Sequence, residues 1–331
     1  MQTTGWKERR KKRQKKKSHR KNSTGTWYLS NYSINELNFG LLNGKSGIIW
    51  SLLDLNNNTC DINSIINSLL NDIKEDLKNS DVDYSIDEGI TGKALVTLKL
   101  YLVSKENKYL NLCTLVCEKI IDDFSNGTLQ IEKIGLNKGF AGISLLFYYM
   151  YKCTNNSIYF EYGYDILTKD IKEYKEISGG WLYPDNRSNE NTIYNPYLTS
   201  GTAGIAAIFI RYYKEYPQKF DKNILCKLMK GMQAEFSVDI GLFSGLTGLI
   251  HVHYDVYLYL NDVNMVGRVT SLLENLFSLL QETKDSALKT PGQLMFRYGC
   301  DYSHGGAGII ELINRINQNK KDYYLFLDSY L

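Results

Sequence analysis

The chain has 331 residues, of which 43% are hydrophobic and only four are proline. This composition supplies a sizeable apolar core and favours a helical body. No apolar run reaches the roughly 18 residues of a transmembrane helix, and the basic start is not followed by the apolar segment of a secretory signal. These features exclude membrane-spanning and secreted classes. The six cysteines form no C-x-x-C pair, so we predict a cytoplasmic protein with reduced thiols and no membrane partner.

Residues 1–26 differ from the rest in charge. Lys7–Lys21 holds eleven Lys or Arg and one acidic residue, so the remainder of the chain carries a net −7 against a total of +3. Such a block can bind acidic partners, but it is more often a solvated tail. We predict a disordered basic tail over residues 1–26 and a single domain over residues 27–331. The body contains no nucleic-acid-binding motif, so nucleic acid is not an expected partner.

A glycine motif of the form G-x-x-G, followed by an apolar run, recurs six times in the body. Its first glycines are spaced 44 to 62 residues apart, which indicates an array of one supersecondary unit. Glycines three apart share one face of a helical turn, where the missing Cβ atoms let another backbone come close. Each motif therefore predicts the start of an apolar helix. The first glycines are Gly44, Gly89, Gly139, Gly201, Gly245 and Gly305.

Amphipathic stretches lie between successive glycine motifs, for example INSIINSLLNDIKEDL, ILTKDIKEYKEI and NILCKLMKGMQAEF. Their apolar residues recur at three and four positions, with charged residues on the opposite face. Apolar helices that alternate with amphipathic helices predict an inner ring surrounded by an outer ring. We therefore expect an all-α fold, an α/α toroid (barrel) with glycine-rich N-termini on its inner helices. Two long polar segments, Ser178–Pro196 and Lys284–Tyr302, are predicted to be loops at a substrate opening.

The repeated units resemble the LanC-like lanthionine synthetase (cyclase) family, and most of all the cyclase domain of class III lanthipeptide synthetases. The resemblance rests on NPYLTSGTAGIAAIFIRYY, GLFSGLTGLI and TPGQLMFRYGCDYSHGGAGIIELI, and it covers residues 35–316. It implies an α/α barrel that adds a peptide cysteine to dehydroalanine or dehydrobutyrine, giving a thioether ring. The implied partner is a lanthipeptide precursor peptide. A kinase and a lyase precede the cyclase in class III enzymes, so a separate kinase/lyase protein is a further potential partner.

Zinc-dependent members of the family carry one Cys ligand before a glycine motif and a Cys-His pair before the next. The matching positions here are Thr199, Phe243 and Ser244, which are not a zinc-binding set. Shifting the alignment by one unit places Ser303 and His304 at the Cys-His pair, again without its Cys. A substitute set would need Cys300 and His304 together with His251 and His253. The resemblance to the zinc-free class III form therefore predicts no metal and no other cofactor.

Without zinc, the addition needs a group that takes the thiol proton and returns one to the enolate. Histidine suits both steps because imidazole ordinarily titrates near neutrality. His304 directly precedes Gly305, where helix N-termini would favour anions. We predict His304 as the catalytic residue, Asp301 as the group that orients it, and Arg297 as an anion-holding residue. Capping roles for Asp301 and His304, and a structural ion pair for Arg297, are the alternatives.

Further residues are predicted to line the opening or to lie in the core. Histidines on an apolar helix are more often core residues than catalysts, and His251 and His253 are interpreted in that way. Cys113 and Cys117 lie four apart on one helix face and are likewise interpreted as core residues. The predicted substrate-binding residues, which we expect around the opening, are Tyr183, Asp185, Tyr197 and Ser244.

Two other functions remain open at this point. A non-catalytic module that binds a precursor peptide, or a remnant detached from a class III synthetase, would account for the missing zinc ligands. An α/α-toroid glycoside hydrolase would need two carboxylates facing one cleft. The carboxylates near the loops are Asp87, Glu88, Asp185, Asp239 and Asp301.

Overall fold

The structure, a computed structural model, describes residues 28–29, 32–33, 38–54, 62–187, 193–282, 288–292 and 298–331. The chain divides into two units, Met1–Asn38 and Phe39–Leu331. Within the first unit, strands β1 (Tyr28–Leu29) and β2 (Tyr32–Ser33) pair antiparallel. The predicted basic tail lies outside the described residues, so its boundary stays a prediction. The fold of the second unit is described below.

Eleven helices make up the described part of the second unit. Odd-numbered helices follow the glycine motifs and even-numbered helices come from the amphipathic stretches. In chain order they are α1 (Lys45–Asp54), α2 (Asn63–Asp76), α3 (Ile90–Ser104), α4 (Asn107–Ser125), α5 (Phe140–Thr154), α6 (Ser157–Ile171), α7 (Thr202–Glu215), α8 (Lys222–Gly231), α9 (Leu246–Leu260), α10 (Asn264–Ser278) and α11 (Gly306–Asn317).

Burial distinguishes the inner helices α3, α5, α7 and α9, which are buried over most of their length, from the outer helices. The inner helices α1 and α11 bury only three and four residues. Every residue of α5 from Phe140 to Met150 is buried, whereas α10 buries only Val269, Leu272 and Leu276. A helix that is buried all round lies inside a protein, and one with a single apolar face lies at the surface. The predicted alternation of inner and outer helices is confirmed. None of the described helices is long and apolar enough to cross a membrane.

Two predicted outer helices end earlier than their amphipathic pattern. The pattern ILTKDIKEYKEI extends to Ile177, but α6 ends at Ile171 and Lys175–Ile177 forms strand β3. The polar loop after it contains β4 (Gly180–Pro184) and β5 (Tyr194–Asn195), which complete an antiparallel sheet in the order β3-β4-β5. Likewise, the pattern NILCKLMKGMQAEF extends to Phe236, but α8 ends at Gly231. The last strand pair is β6 (Gln281–Glu282) with β7 (Leu288–Lys289).

The loops that precede the inner helices are joined side by side by backbone hydrogen bonds, which we call the inter-loop ladder. In each step, an N–H of one loop donates to a carbonyl oxygen of the next. The steps are Leu41 N to Asp87 O (2.8 Å), Ile86 N to Asn137 O (2.8 Å), Asn137 N to Thr199 O (3.0 Å), Thr199 N to Phe243 O (3.2 Å) and Leu242 N to Ser303 O (2.8 Å). The inner helices therefore all begin at the same end of the toroid.

The second glycine of each motif makes room for the preceding loop. A Cβ atom on Gly92 would lie within 3.0 Å of the Ile86 carbonyl oxygen, and one on Gly248 would approach Leu242 O equally closely. Real Cβ atoms essentially never come that near. The same relation, with the carbonyl six residues earlier, holds at Gly47, Gly142, Gly204 and Gly308. The glycine repeat is thus explained by the close approach of backbones that the sequence predicted.

Gly241 gives a testable case of such an approach between two loops. A Cβ atom there would lie 2.5 Å from His304 Cα and still closer to the Ser303 carbonyl oxygen. We expect Gly241→Ala to push these loops apart and to lower the free energy of unfolding by about 1–3 kcal/mol. Gly267 in α10 is the matched control, because nothing lies within 4 Å of its Cβ position. Gly267→Ala should stabilise the protein by about 0.5–1 kcal/mol. Urea unfolding of both variants tests this, and equal effects would contradict it.

The C-terminal segment, Asp322–Leu331, lies inside the ring of inner helices. Residues Tyr323–Leu327 are buried, and the segment reaches all six inner helices. Its contacts are Tyr330 Oη to Asp54 (3.1 Å), Lys99 Nζ over the Tyr330 ring (5.8 Å), Leu327 N to Tyr149 Oη (2.9 Å), Asp328 to Arg211 (2.7 Å), Tyr323 Oη to Asp255 (3.0 Å) and Tyr324 N to Glu311 (2.9 Å). The centre of the toroid is therefore filled by the chain itself.

Two fully buried arginines hold this segment in place. Arg211 donates to Asp255 (3.0 Å) and to Asp328 (2.7 Å), while Arg315 donates to Asp255 and to the Lys320 carbonyl oxygen (3.2 Å). Burial alone would raise the pKa of Asp328, but the Arg211 guanidinium holds it below its usual value. Buried charges persist only when they are paired and hydrogen-bonded. The network therefore couples the C-terminal segment to α7, α9 and α11.

Candidate functional site

The inner helices all begin at one end of the toroid, which we call the mouth. The residues directly before the N-cap position of each inner helix lie there, next to the inter-loop ladder. Three of them are exposed and three are half-buried. These six positions carry amide, carboxylate, ammonium, hydroxyl and imidazole groups, which are the polar groups of the mouth. They are Asn43, Glu88, Lys138, Ser200, Ser244 and His304.

His304 forms the one histidine–carboxylate pair among the described residues. Its Nδ1 lies 2.6 Å from Asp239 Oδ2, and the two side chains are 26% and 12% exposed. Asp239 is itself fixed, because its Oδ1 accepts a hydrogen bond from Gly241 N (2.9 Å). An Nδ1–H that donates to a carboxylate leaves Nε2 as the basic nitrogen. Within the described residues Nε2 has no hydrogen-bond partner, so it is available to a substrate.

Asp301 does not orient the His304 ring, and the prediction of that role was wrong. Its Oδ1 accepts hydrogen bonds from the backbone N–H groups of Ser303 (3.0 Å) and His304 (2.8 Å). Asp301 therefore shapes the turn that leads into α11, as the capping alternative proposed. The carboxylate that contacts the ring comes from the neighbouring loop, and sequence spacing did not reveal it. Arg297, the third predicted catalytic residue, lies outside the described residues.

The floor of the mouth is formed by Tyr324 from the C-terminal segment. Its backbone adopts φ +51°, and its hydroxyl donates to Asn137 Oδ1 at 3.5 Å. Its ring lies 4.8 Å from Phe243 and 6.0 Å from Tyr302, measured between centroids. Burial raises the pKa of Tyr324, which keeps the hydroxyl protonated. Tyr324 thus packs against the loops that carry Asn137, Phe243 and Tyr302, next to the inter-loop ladder.

The four predicted substrate-binding residues are separated by the structure. Tyr183 does not line an opening, because it is fully buried and its hydroxyl donates to Ile171 O (3.1 Å). Tyr197 is half-buried, and its hydroxyl bonds Ser237 Oγ (2.7 Å), two residues before Asp239. Ser244 is half-buried on the same loop as Asp239. Asp185 is half-buried after β4, and no contact within the described residues joins it to His304.

His251 and His253 are core residues, as predicted. His251 is fully buried and its ring stacks on Tyr323 at 4.2 Å, and burial together with Arg315 lowers its pKa. Burial also lowers the pKa of His253 to about 4. Cys113 and Cys117 are fully buried in α4, and burial raises the pKa of both thiols. None of these four residues reaches the mouth.

The opposite side of the mouth carries an acidic and a basic group in contact. Asp87 Oδ2 lies 3.1 Å from Lys138 Nζ, and Asn43 donates to its Oδ1 at 3.4 Å. Asp87, Asp239 and Asp301 thus each have a partner within the protein. A glycoside hydrolase needs two carboxylates that face one cleft. Asp87, Asp239 and Asp301 instead contact Lys138, His304 and the backbone of their own turn.

Comparison with known proteins finds similarity to one protein family in the C-terminal part of the chain. The model of lanthionine synthetase C-like proteins matches residues 192–331, which include Asp239 and His304. The Probable SapB synthase of Streptomyces coelicolor is 26% identical over 182 residues, or 54% of this chain. Residues 192–331 of this chain are thus similar to the lanthionine synthetase C-like family. The matched segment spans only 18% of the synthase's own length.

Two solved structures share the fold of this chain. Nisin cyclase superimposes with a TM-score of 0.62 at 15% identity, over 89% of this chain and 82% of that chain. The Lin0763 protein of Listeria innocua superimposes with a TM-score of 0.52 at 12% identity, over 84% and 85% of the two chains. At these identities the likeness concerns the fold alone. It agrees with the α/α toroid that the glycine repeat predicts.

Among the described residues, no group of three His, Cys, Asp or Glu side chains at the mouth could hold a zinc ion. Phe243 packs its ring on Tyr324, and the Thr199 hydroxyl donates to the Phe243 carbonyl oxygen at 3.4 Å. Beside them stand the hydroxyl groups of Ser244 and Ser303, and one imidazole, His304, which already contacts Asp239. Zinc sites use several Cys, His or carboxylate ligands. These residues do not fit zinc, and the chemistry below is derived without it.

Proposed function

We propose that this protein is a zinc-independent lanthipeptide cyclase. It joins a Cys thiol of a precursor peptide to dehydroalanine or dehydrobutyrine in the same peptide, giving a lanthionine ring, or a labionin-type ring where the enolate adds to a second dehydroalanine instead of taking a proton. The observation that carries the proposal is the His304–Asp239 pair at the mouth of a lanthionine synthetase C-like toroid. A histidine whose Nδ1 contacts a carboxylate can use its Nε2 to take a proton from the thiol and then to give a proton to the enolate.

The steps balance without an added reagent. His304 Nε2 takes the proton of the peptide thiol, because the thiolate is the nucleophile. The thiolate sulfur bonds to the β-carbon of the dehydro residue, and the double-bond electrons form an enolate. The His304 imidazolium, stabilised by Asp239, then gives its proton to the α-carbon. One C–S bond forms, one C=C π bond is lost, and the mass of the peptide does not change.

The loops around His304 offer a surface that suits a peptide. Phe236 and Val238, on either side of Ser237, are 62% and 63% exposed in the loop that carries Asp239. Exposed apolar side chains beside a polar pair are typical of binding sites. Tyr197 and Ser244 add hydroxyl groups on the same side of the mouth. We propose that these residues hold the ring-forming part of the peptide against Nε2.

The proposed reaction consumes dehydrated residues, so a dehydrating activity must come first. We place that kinase and lyase activity outside residues 27–331. We also place the reaction in the cytoplasm, where thiols stay reduced. The proposal assigns no role to nucleic acid or to a membrane.

A thiol count during incubation tests the proposal. A synthetic peptide that contains one dehydroalanine and one cysteine is incubated with and without the protein, and free thiols are alkylated at intervals. Each remaining thiol adds one alkyl group to the mass, whereas a ring adds none. We expect thiols to disappear faster with the protein. Binding of the peptide with no faster loss of thiols would instead make this a peptide-binding module and would overturn the cyclase proposal.

A further inference from the structure

A second concave surface lies at the opposite end of the toroid, and we call it the lysine groove. It has a volume of about 780 Å³ and is bounded by outer helices α8 and α10, with inner helices α7 and α9 below. Its lining includes the apolar residues Leu225, Met229, Val256, Leu260 and Met265. Ligand sites are commonly clefts of about 300–1,000 Å³ with apolar side chains in their lining. The groove is therefore large enough for several side chains of a partner.

The edges of the lysine groove are basic. Lys214, Lys222 and Lys230 line it, against the single carboxylate of Asp262. The Lys214 amino group lies 4.0 Å from the Tyr259 ring centroid and 3.8 Å from Asp328 Oδ1. Burial lowers the pKa of Lys214 to about 8, so a further anion nearby would favour its charged form. The groove is thus complementary to carboxylates.

One face of α8 borders the groove through Lys222, Leu225, Cys226, Met229 and Lys230. Lys222, the pair Leu225–Cys226 and the pair Met229–Lys230 lie three or four residues apart; Leu225 is buried, whereas Cys226 and both lysines are exposed. Residues at that spacing share one helix face. Apolar residues in the middle of the face and lysines at both ends fit an amphipathic helix with acidic residues beside its apolar stripe.

We propose that the lysine groove docks an acidic amphipathic helix in the part of the precursor peptide that is not cyclised. This inference rests on the proposed function, because it takes the cyclase substrate as the occupant. The groove lies at the C-terminal ends of α7 and α9, whereas the mouth lies at their N-terminal ends. Helices of 14 and 15 residues separate the two by about 20 Å. Docking therefore leaves His304 open.

A tether at that distance explains how one protein can form rings in succession. A ring that has formed must leave Nε2 before the next thiol arrives, and a peptide held only at the mouth would then dissociate. A peptide also held at the groove stays near the mouth at an effective concentration of about millimolar for a short flexible connection. Docking thus raises the rate of ring formation at low peptide concentration and has little effect at saturation.

Two exposed cysteines make the docking measurable in the unmodified protein. Cys226 lines the lysine groove, and Cys300 lies next to Asp301 at the mouth. The probe is a synthetic cysteine-free helix of Leu, Ala and Glu, and its control is the same helix with Lys in place of Glu. Alkylation of both cysteines is followed by mass spectrometry of peptide fragments. We expect the Glu helix to protect Cys226 and not Cys300, and the Lys helix to protect neither.

Charge reversal separates docking from a general effect. Lys222→Glu with Lys230→Glu should weaken the protection of Cys226 by the Glu helix about tenfold, since each exposed ion pair contributes about 0.2–1 kcal/mol. Lys108→Glu, on an exposed lysine of α4, is the matched control and should change nothing. Equal protection by both helices, no protection of Cys226, or protection that survives the double reversal would overturn the docking proposal.

The two proposals fail in different ways. If the Glu helix protects Cys226 but no dehydroalanine peptide is cyclised, the groove stands as a docking site and the cyclase proposal falls. If rings form while Cys226 stays unprotected, the cyclase proposal stands and the proposal of docking in the lysine groove is wrong. Attaching the Glu helix to the dehydroalanine peptide should lower KM and leave kcat unchanged. An attached helix that leaves KM unchanged would also count against docking.

Discussion

Replacing His304 by glutamine is expected to slow protein-dependent ring formation by at least about 100-fold. Glutamine keeps much of the volume but can neither take the thiol proton nor return one to the enolate. Asp239→Asn should cause a loss of similar size, since it removes the charge that stabilises the imidazolium and changes the preferred tautomer. The measurement is the initial rate of thiol loss from the dehydroalanine peptide, at a saturating peptide concentration, for each variant and the parent protein.

Asp301→Asn is the matched control for these two variants. The asparagine carbonyl oxygen can still accept the hydrogen bonds from the backbone of Ser303 and His304, so the turn is retained. We expect its rate to stay close to that of the parent protein. A rate that falls with Asp301→Asn but not with Asp239→Asn would show that the assignment of the ring's partner is wrong. Full activity of His304→Gln would remove His304 from the reaction.

Replacing Asp255 by alanine is expected to lower the free energy of unfolding by about 3–5 kcal/mol. Asp255 is fully buried and receives Arg211, Arg315 and the Tyr323 hydroxyl. Its loss leaves two buried guanidinium groups short of a partner and releases one anchor of the C-terminal segment. Urea unfolding followed by tryptophan fluorescence measures the change. Glu106→Ala, which removes an exposed ion pair with Lys108, is the control and should leave stability nearly unchanged.

The same variant tests whether the C-terminal segment forms the floor of the mouth. If Asp255→Ala frees the segment, Tyr324 should leave its place beside Phe243, and proteolysis should cut near Asp322 before the rest of the protein. A variant as stable as the parent protein would show that the buried network does not hold the segment.

Much of the fold could be predicted from the sequence because its signal is local and repeated. Each G-x-x-G motif marks a place where a loop carbonyl lies against the first turn of a helix, so only glycine fits at the second position. Six such motifs predict six inner helices, and all six occur. The C-terminal segment could not be predicted in this way. Its order comes from long-range contacts such as Asp328 with Arg211, which no short sequence pattern records.

The candidate site was predictable only in part, and Asp239 shows why. Asp83 and Asn195 occupy the same place in their units, six residues before the N-cap glycine, and each accepts a backbone N–H two residues later, as Asp239 does. From sequence, Asp239 is therefore one of several turn-forming residues. It contacts a histidine because the inter-loop ladder places its loop beside the loop of His304. A search for carboxylates across neighbouring units would have found it.

Tyr183 illustrates the converse error. A polar aromatic residue in a long loop suggests an exposed position, but the loop forms β4, and its inward face is covered by the helices below. The hydroxyl is satisfied by a single carbonyl oxygen, Ile171 O. The polar tip of a tyrosine can thus be buried with one hydrogen bond. Loop composition alone does not distinguish this case from a residue that lines an opening.

The central claim is that the His304–Asp239 pair drives ring formation without a metal, and chelation tests it most directly. The protein is treated with a zinc chelator, the chelator is removed, and the initial rate of thiol loss from the dehydroalanine peptide is measured with and without added zinc. We predict the same rate in both samples, well above the rate of the peptide alone. A rate that falls to that of the peptide alone after chelation and returns with zinc would contradict the account.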